Sequence, residues 1–141
     1  MPTRNAVEGK MWKLAIKKID GRWTVERPRG KVHRGIDGER DPDWVEWTLR
    51  ADKNKAVSAH FQFAHRDLLE GFAGVDDLTR DLTAVIPEPG GTLTLKIKKD
   101  ACRRKNPRYY AVWVQDEDLE SGGEFAVGED GNPPPDMEIG P

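Results

Sequence analysis

The chain has 141 residues, of which 36% are hydrophobic and 34% are charged, and its formal net charge is −2. This length predicts a single domain, and no apolar run approaches the ~20 residues of a transmembrane helix, so no membrane partner is expected. The only cysteine, Cys102, excludes an internal disulfide, and the N-terminus lacks the apolar core of a signal peptide. Both features predict a reduced, cytoplasmic setting.

The first half of the chain contains four stretches in which apolar and polar residues alternate. Residues 11–19 and 22–27 flank a polar Asp-Gly turn, which predicts a β-hairpin. A loop rich in glycine follows. Residues 44–51 and 56–64 then alternate strongly, which predicts two further strands.

The periodicity changes between His65 and Ile86, where leucines recur at helical spacing. We expect one or two short helices there, and a strand ending near residues 83–86 is the alternative. Residues 92–100 and 108–115 are predicted strands joined by a basic turn. Six or seven short strands with frequent turn signals indicate an all-β fold, an antiparallel sandwich or barrel. Of these we expect an antiparallel two-sheet sandwich with one short helical connection.

The inward positions of these strands define one predicted core between two sheets. The residues expected to line it are Val45, Trp47, Leu49, Phe61, Phe63, Leu93, Leu95, Ile97, Ala111 and Trp113. Most aromatic residues of the chain are assigned to inward positions of this kind. Few aromatic side chains are therefore expected to remain for stacking on a ligand.

The C-terminal segment differs sharply in charge from the rest of the chain. Residues 116–141 contain nine acidic side chains and no Lys or Arg, which leaves 23 basic and 16 acidic side chains in residues 1–115. Three interpretations stay open. The segment is a disordered acidic tail, it returns to the fold, or it covers the basic body of its own chain.

The predicted organisation has four parts. Residues 1–9 are expected to be a flexible N-terminus and residues 10–115 the sandwich body. Residues 116–135 are expected to be an acidic loop rich in glycine and proline, and residues 136–141 a candidate closing strand. In that strand Met137 and Ile139 alternate with acidic residues, as in a strand with one buried face.

The order of these patterns resembles that of cupredoxin-like β-sandwiches. VEWTL followed by HFQF resembles a hairpin of that family, and GTLTLKI, YYAVWV and PPDMEIGP resemble its later strands. The resemblance spans Lys10 to Pro141 and implies a two-sheet sandwich, a pattern that immunoglobulin-like domains share. It also raises the question of copper, which this family binds through two His, one Cys and one Met. No histidine follows Cys102, so we expect no metal and no cofactor.

The histidines and the cysteine define a minor alternative, a metal or redox protein. His33, His60 and His65 all precede Cys102, and an i, i+5 separation on a strand places His60 and His65 on opposite faces. Basic neighbours favour the thiolate of Cys102, which makes it a candidate reactive thiol, but no histidine lies near it in sequence to act as a base. No catalytic motif is recognisable, and we do not expect an enzyme.

Basic residues form two clusters, which are candidate partner-binding patches. They are Arg27, Arg29, Lys31 and Arg34, and Lys98, Lys99, Arg103, Arg104 and Lys105. Opposite charges on the body and the C-terminal segment suit the steering of a protein partner, and a sheet edge can accept a partner strand. We therefore expect a small non-enzymatic accessory or adaptor protein that binds another protein. Nucleic-acid binding by the basic surface is the second hypothesis.

Overall fold

A computed structural model describes residues 7–50, 55–63, 69–71, 83–97, 108–131 and 134–140. These residues form strands, turns and loops, and no helix occurs among them. Accordingly, the described part of the chain has no helix with the length and apolar character needed to cross a membrane.

The described strands are numbered in chain order. They are β1 Met11–Ile19, β2 Arg22–Val25, β3 Val32–His33, β4 Trp44–Leu49, β5 Ala56–Phe63, β6 Leu69–Gly71, β7 Thr83–Ile86, β8 Thr92–Ile97, β9 Arg108–Asp116, β10 Gly123–Phe125, β11 Val127–Gly128, β12 Asp136–Met137 and β13 Ile139–Gly140. The predicted hairpin of β1 and β2 is confirmed. Its turn residues Asp20 and Gly21 both have positive φ, at 50° and 79°, as a two-residue hairpin turn of type I′ requires.

Two larger sheets contain most of the strands. The first sheet has the order β11-β2-β1-β4-β8-β6, and the second has the order β10-β9-β5-β7 with β12 also pairing with β9. The pairs β1–β4, β11–β2 and β13–β3 are parallel, so the prediction of a purely antiparallel fold is wrong for them. Alternation shows which side chains share a face but carries no information on strand direction. The direction of β4 is fixed by the long connection that returns the chain beside β1.

The two sheets share one hydrophobic core, and Trp47 lies at its centre. The ring of Trp47, on the first sheet, is 5.3 Å from that of Phe61 and 5.5 Å from that of Tyr110, both on the second sheet. The Trp47 indole Nε1–H donates a hydrogen bond to the Tyr110 hydroxyl at 3.0 Å. Burial raises the pKa of Tyr110 above its ordinary value, which keeps this hydroxyl neutral.

The helix expected between His65 and Ile86 is absent from the described part of that stretch. Leu69–Gly71 pairs with β8 and Thr83–Ile86 pairs with β5, so the strand alternative for residues 83–86 is confirmed. Residues 64–68 and 72–82 lie outside the described residues. At the described ends of this stretch, Leu69–Gly71 and Thr83–Ile86, pairing with strands distant in sequence overrides the helical signal.

The side-chain alternation of β9 is opposite to the predicted one. Eight of the ten predicted core residues are buried, namely Val45, Trp47, Leu49, Phe61, Phe63, Leu93, Leu95 and Ile97. In β9, however, Tyr110, Val112 and Val114 face the core, while Ala111 and Trp113 point outward. Five of the six residues from Tyr109 to Val114 are large and apolar or aromatic, so the alternation in sequence does not reveal which face is buried.

The described residues of the acidic C-terminal segment are paired with both sheets instead of forming a separate tail. β10 pairs with β9 of the second sheet, and β11 then pairs with β2 of the first. β12 returns to β9, and β13 pairs with β3. Met137 and Ile139 are buried in the shared core. The predicted loop at 116–135 therefore contains two strands, β10 and β11.

Candidate functional site

On the outer face of the second sheet, the described outward residues of β7, β5, β9 and β10 carry no formal charge, and Asp136 of β12 lies at the edge of that face. We call the uncharged part of this surface the neutral face. Cross-strand register aligns Val85 with His60, His60 with Trp113, and Trp113 with Phe125, in one row across β7, β5, β9 and β10. The described outward residues of these strands that define the neutral face are Ser58, His60, Gln62, Thr83, Val85, Ala111, Trp113, Gln115 and Phe125. Tyr109 lies at one end of the face, next to Asp136 of β12.

The apolar residues of this row are exposed to solvent to an uncommon degree for their size. Phe125 is 55% exposed and Val85 is 42% exposed, while Trp113 is half-buried. The Trp113 indole lies over Gly123, where an added Cβ would come within 2.7 Å of its Nε1. The Phe125 ring contacts it edge-on, with centroids 4.9 Å apart. A glycine and a phenylalanine thus fix the position of the largest side chain on the face.

Neutral polar groups surround this row and are hydrogen-bonded to one another. The Ser58 hydroxyl donates to Gln115 Oε1 at 3.1 Å and lies 2.8 Å from His60 Nε2. Which of the two groups donates in the Ser58–His60 contact depends on the tautomer of the imidazole. The contacts of Ser58 link the side chains of β5 and β9 on the outer side of the sheet.

The first basic cluster is only partly available to a ligand. Arg27 forms ion pairs with Asp136 at 3.2 Å and Glu138 at 3.9 Å, and its backbone N–H donates to Glu129. Arg27 also shares a depression of about 340 Å³ with Glu138 and the exposed residues Arg29 and Lys31. Arg34 is half-buried and does not line it. The structure thus brings three of the four predicted basic residues together, with acidic residues of the C-terminal segment among them.

Acidic groups crowd around Arg27. Burial raises the pKa of Asp136, the Arg27 charge lowers it, and the charges of Asp130 and Glu138 raise it further, so that the net shift is upward. At this place the acidic C-terminal segment covers the basic body of its own chain, because its carboxylates Asp136 and Glu138 lie beside Arg27. An anionic ligand at Arg27 would have to compete with these carboxylates.

Several predicted site residues lie outside the described residues. These are Lys98, Lys99, Cys102, Arg103, Arg104, Lys105 and His65. Of the other histidines, His33 lies on β3 and His60 on the neutral face. Among the described residues, no group of three or more His, Cys, Asp or Glu side chains is placed to hold a metal ion.

Sequence reasoning missed two fully buried carboxylates. Asp43 accepts hydrogen bonds from the backbone N–H groups of Lys10 and His33, at 2.8 Å each, and from the Trp12 indole at 2.9 Å. It also forms an ion pair with Arg40 at 3.5 Å. These partners come from three segments of the chain, at the start of β1, on β3 and at Arg40, so Asp43 joins them together. No local pattern around Asp43 indicates this role.

Asp116 has the same kind of environment at the end of β9. Its carboxylate accepts from Lys18 Nζ at 2.9 Å, from the Trp23 indole at 2.8 Å and from the Asp118 backbone N–H at 2.9 Å. Burial alone would raise the pKa of Asp116, but these hydrogen bonds and the Lys18 charge outweigh it and hold the pKa below its ordinary value. Because the chain itself supplies donors to both oxygens, Asp116 is a structural anchor of the hairpin and not a ligand site.

A scan against protein-family models found no match, and a search of the curated proteins found none with significant similarity. The proposal for function therefore depends on the geometry of the chain itself. Within the described residues, the neutral face and the depression at Arg27 are two surfaces whose composition indicates a ligand.

Proposed function

We propose that this chain is a non-enzymatic protein-binding module, an accessory or adaptor protein whose docking surface is the neutral face. The observation that carries the proposal is the row Val85, His60, Trp113 and Phe125, on four strands that have no Asp, Glu, Lys or Arg among their described outward residues. In a chain with 34% charged residues, such a surface is unexpected for a sheet face in contact only with water.

The composition of the neutral face matches that of the centre of a protein interface. Interface centres are depleted in charged residues and enriched in aromatic ones, because charged groups are costly to remove from water. Trp113 is held in place by Gly123 and Phe125, so its ordering on binding costs little conformational entropy. Gln62 and Gln115 are exposed beside it and supply amide donors and acceptors without charge.

We further infer a β-sandwich related to cupredoxin-like or immunoglobulin-like domains, acting in the cytoplasm without a cofactor. Support for the sandwich comes from Trp47, whose ring contacts join the two sheets. The parallel pairing of β1 with β4 departs from a wholly antiparallel arrangement. The reduced compartment rests on the single cysteine of the chain.

Site-specific photo-crosslinking in the cells that produce the protein tests the proposed docking surface. A benzoylphenylalanine replaces Val85 on the neutral face or, as the matched control, Thr92 on the outer face of the first sheet. Both positions lie on strands and point away from the core. We expect protein adducts from position 85 and none above background from position 92. Absence of adducts at position 85, or equal adducts at both positions, would refute the neutral face as the docking surface.

Nucleic-acid binding at the first basic cluster is the second proposal. Its support is the depression that Arg27, Arg29 and Lys31 share, where three cationic side chains lie close enough to contact one phosphate backbone. Glu138 lines the same depression and opposes such binding. The described residues that line this depression include no aromatic residue of the neutral face. The two proposals therefore concern different surfaces and can be tested separately.

A further inference from the structure

We propose that the neutral face binds a second copy of this chain, with the two second sheets packed face to face about a two-fold axis. This inference rests on the proposed function, because it names the partner of the same docking surface. It draws on three properties of the described residues: charge, the order of residues across the sheet, and area.

Charge favours an identical partner. In a two-fold interface a residue on the axis meets its own copy, so a charge there faces a charge of the same sign. The neutral face avoids this repulsion between β5 and β9, because the described outward residues of these two strands carry no formal charge. At the centre of the outer face of the first sheet, where β1 lies beside β4, Lys13, Lys17 and Glu46 point outward.

The row Val85, His60, Trp113 and Phe125 can pack against the same row of a second copy that runs in the opposite order. A two-fold axis that runs along the strands, between β5 and β9, reverses the order of the row in the second copy. Val85 of one copy then lies opposite Phe125 of the other, and His60 lies opposite Trp113. Apolar residues meet apolar residues at the edges, and each indole meets an imidazole at the centre. Sheets packed in this way are spaced ~10 Å apart, a distance that these side chains fill.

The area of the face predicts a weak dimer. β5 and β9 are 8 and 9 residues long, and β7 and β10 are shorter. With ~4.8 Å between strands and ~3.4 Å per residue, the face covers about 400 Å². This is roughly half of the ~800 Å² per partner in a standard interface. An area of this size belongs to the class of weak, transient interfaces, so a rapidly reversible dimer is expected.

Sedimentation equilibrium of the full chain from ~10 μM to 1 mM tests the inference. The variants are Val85→Asp and Trp113→Asp on the neutral face, and Thr92→Asp on the outer face of the first sheet as the control with the same change of charge. We expect the wild type and T92D to associate with increasing concentration. V85D and W113D are expected to weaken association at least 10-fold, because each places an unpaired carboxylate in the contact.

The outcomes separate two questions: whether the partner is a second copy of the chain, and whether the neutral face is the docking surface. Val85 is exposed on an edge strand, so V85D keeps the test valid if W113D fails to fold. A wild type that stays monomeric up to 1 mM, or V85D and T92D that associate equally, would overturn the second copy as partner. In that case, adducts with a different protein from position 85 would leave the proposed function standing. Adducts between two copies from position 85 would support both proposals.

Discussion

The two outer faces of this protein differ although they cover the same core. Outside the first sheet, Lys13 is paired in register with Glu46, Lys17 forms an ion pair with Glu26 at 3.6 Å, and threonines lie between the charges. Outside the second sheet, the described outward residues of β7, β5, β9 and β10 are neutral and include Trp113 and Phe125, and the charge of Asp136 lies at the edge. This difference is the reason for proposing the second sheet, and not the first, as the docking surface.

The largest expected effect is a difference in stability between a tryptophan in the core and one on the neutral face. Replacing Trp47 with alanine should lower the free energy of unfolding by about 3–5 kcal/mol, because it removes a fully buried ring and leaves the Tyr110 hydroxyl without its donor. Replacing Trp113 with alanine should cost only about 1 kcal/mol, since its side chain is half-buried. Urea denaturation of both variants measures the difference. Equal losses would show that Trp113 belongs to the core as much as Trp47 does.

The next effect concerns the buried carboxylate of Asp116. Asp116→Asn should lower the free energy of unfolding at pH 7 by about 3 kcal/mol, because Lys18 loses its partner charge at a largely buried position. Glu117→Gln is the control, since Glu117 is exposed on the adjacent turn. Thermal denaturation of the two variants gives the comparison. A loss of stability no larger for D116N than for E117Q would contradict the role of Asp116 as an anchor.

The pH dependence of stability follows from the same residue. The pKa of Asp116 is lower in the folded state than its ordinary value, so the unfolded chain binds the proton first as the pH falls. The stabilisation by Asp116 is therefore complete above the ordinary Asp pKa of about 3.9 and is lost as the pH falls through the folded value. Unfolding free energies from pH 7 down to about pH 2 should show this loss in the wild type and a smaller one in D116N. Parallel curves would exclude Asp116 as its source.

The sequence predicts the inner side of the sheets better than the outer. Strands β4 and β8 have one solvated face, so polar residues alternate with Leu93, Leu95 and the other core residues, and the buried face is evident. Strand β9 has apolar residues on both faces, which hides the outward position of Trp113. An apolar run of this kind does not show which face is buried, and the register that pairs Trp113 with exposed His60 places the Trp113 side chain on the outer face.

The basic cluster shows a different limit of prediction. Arg27, Arg29 and Lys31 are neighbours in sequence, and they do lie around one depression. The acids that offset Arg27 are Asp136 and Glu138, more than a hundred residues further along the chain. Local sequence therefore identifies the cations, whereas the net charge of the surface depends on the folded path of the C-terminal segment. The same holds for Asp43 and Asp116, whose donors come from distant segments.

A smaller effect compares two parts of the acidic C-terminal segment. Met137 is buried against the core, whereas Leu119 is half-buried on the turn after β9. Met137→Ala should lower the free energy of unfolding by about 2 kcal/mol and Leu119→Ala by about 1 kcal/mol or less. Denaturant midpoints at constant slope measure both losses. If L119A is the more damaging variant, the turn contributes more to the stability of the fold than the closing strands do.

The smallest expected effect is on DNA binding. Its measurement tests whether the charged depression at Arg27, and not the neutral face, is the main binding surface. The probe is a fluorescent single-stranded 20-nucleotide DNA, and the variant is Glu138→Gln. It removes a carboxylate from the depression that contains Arg29 and Lys31, so it should strengthen DNA binding about 2–5-fold at low salt. Glu120→Gln is the control, because Glu120 is exposed outside that depression and the change of charge is the same. Fluorescence anisotropy at rising salt should show weak binding that disappears as counterions compete.

Tight binding by the wild type that V85D and W113D leave unchanged would transfer the functional assignment from the neutral face to the basic cluster. Equal gains for E138Q and E120Q would show that only the total charge of the chain matters, and the depression would then have no specific role.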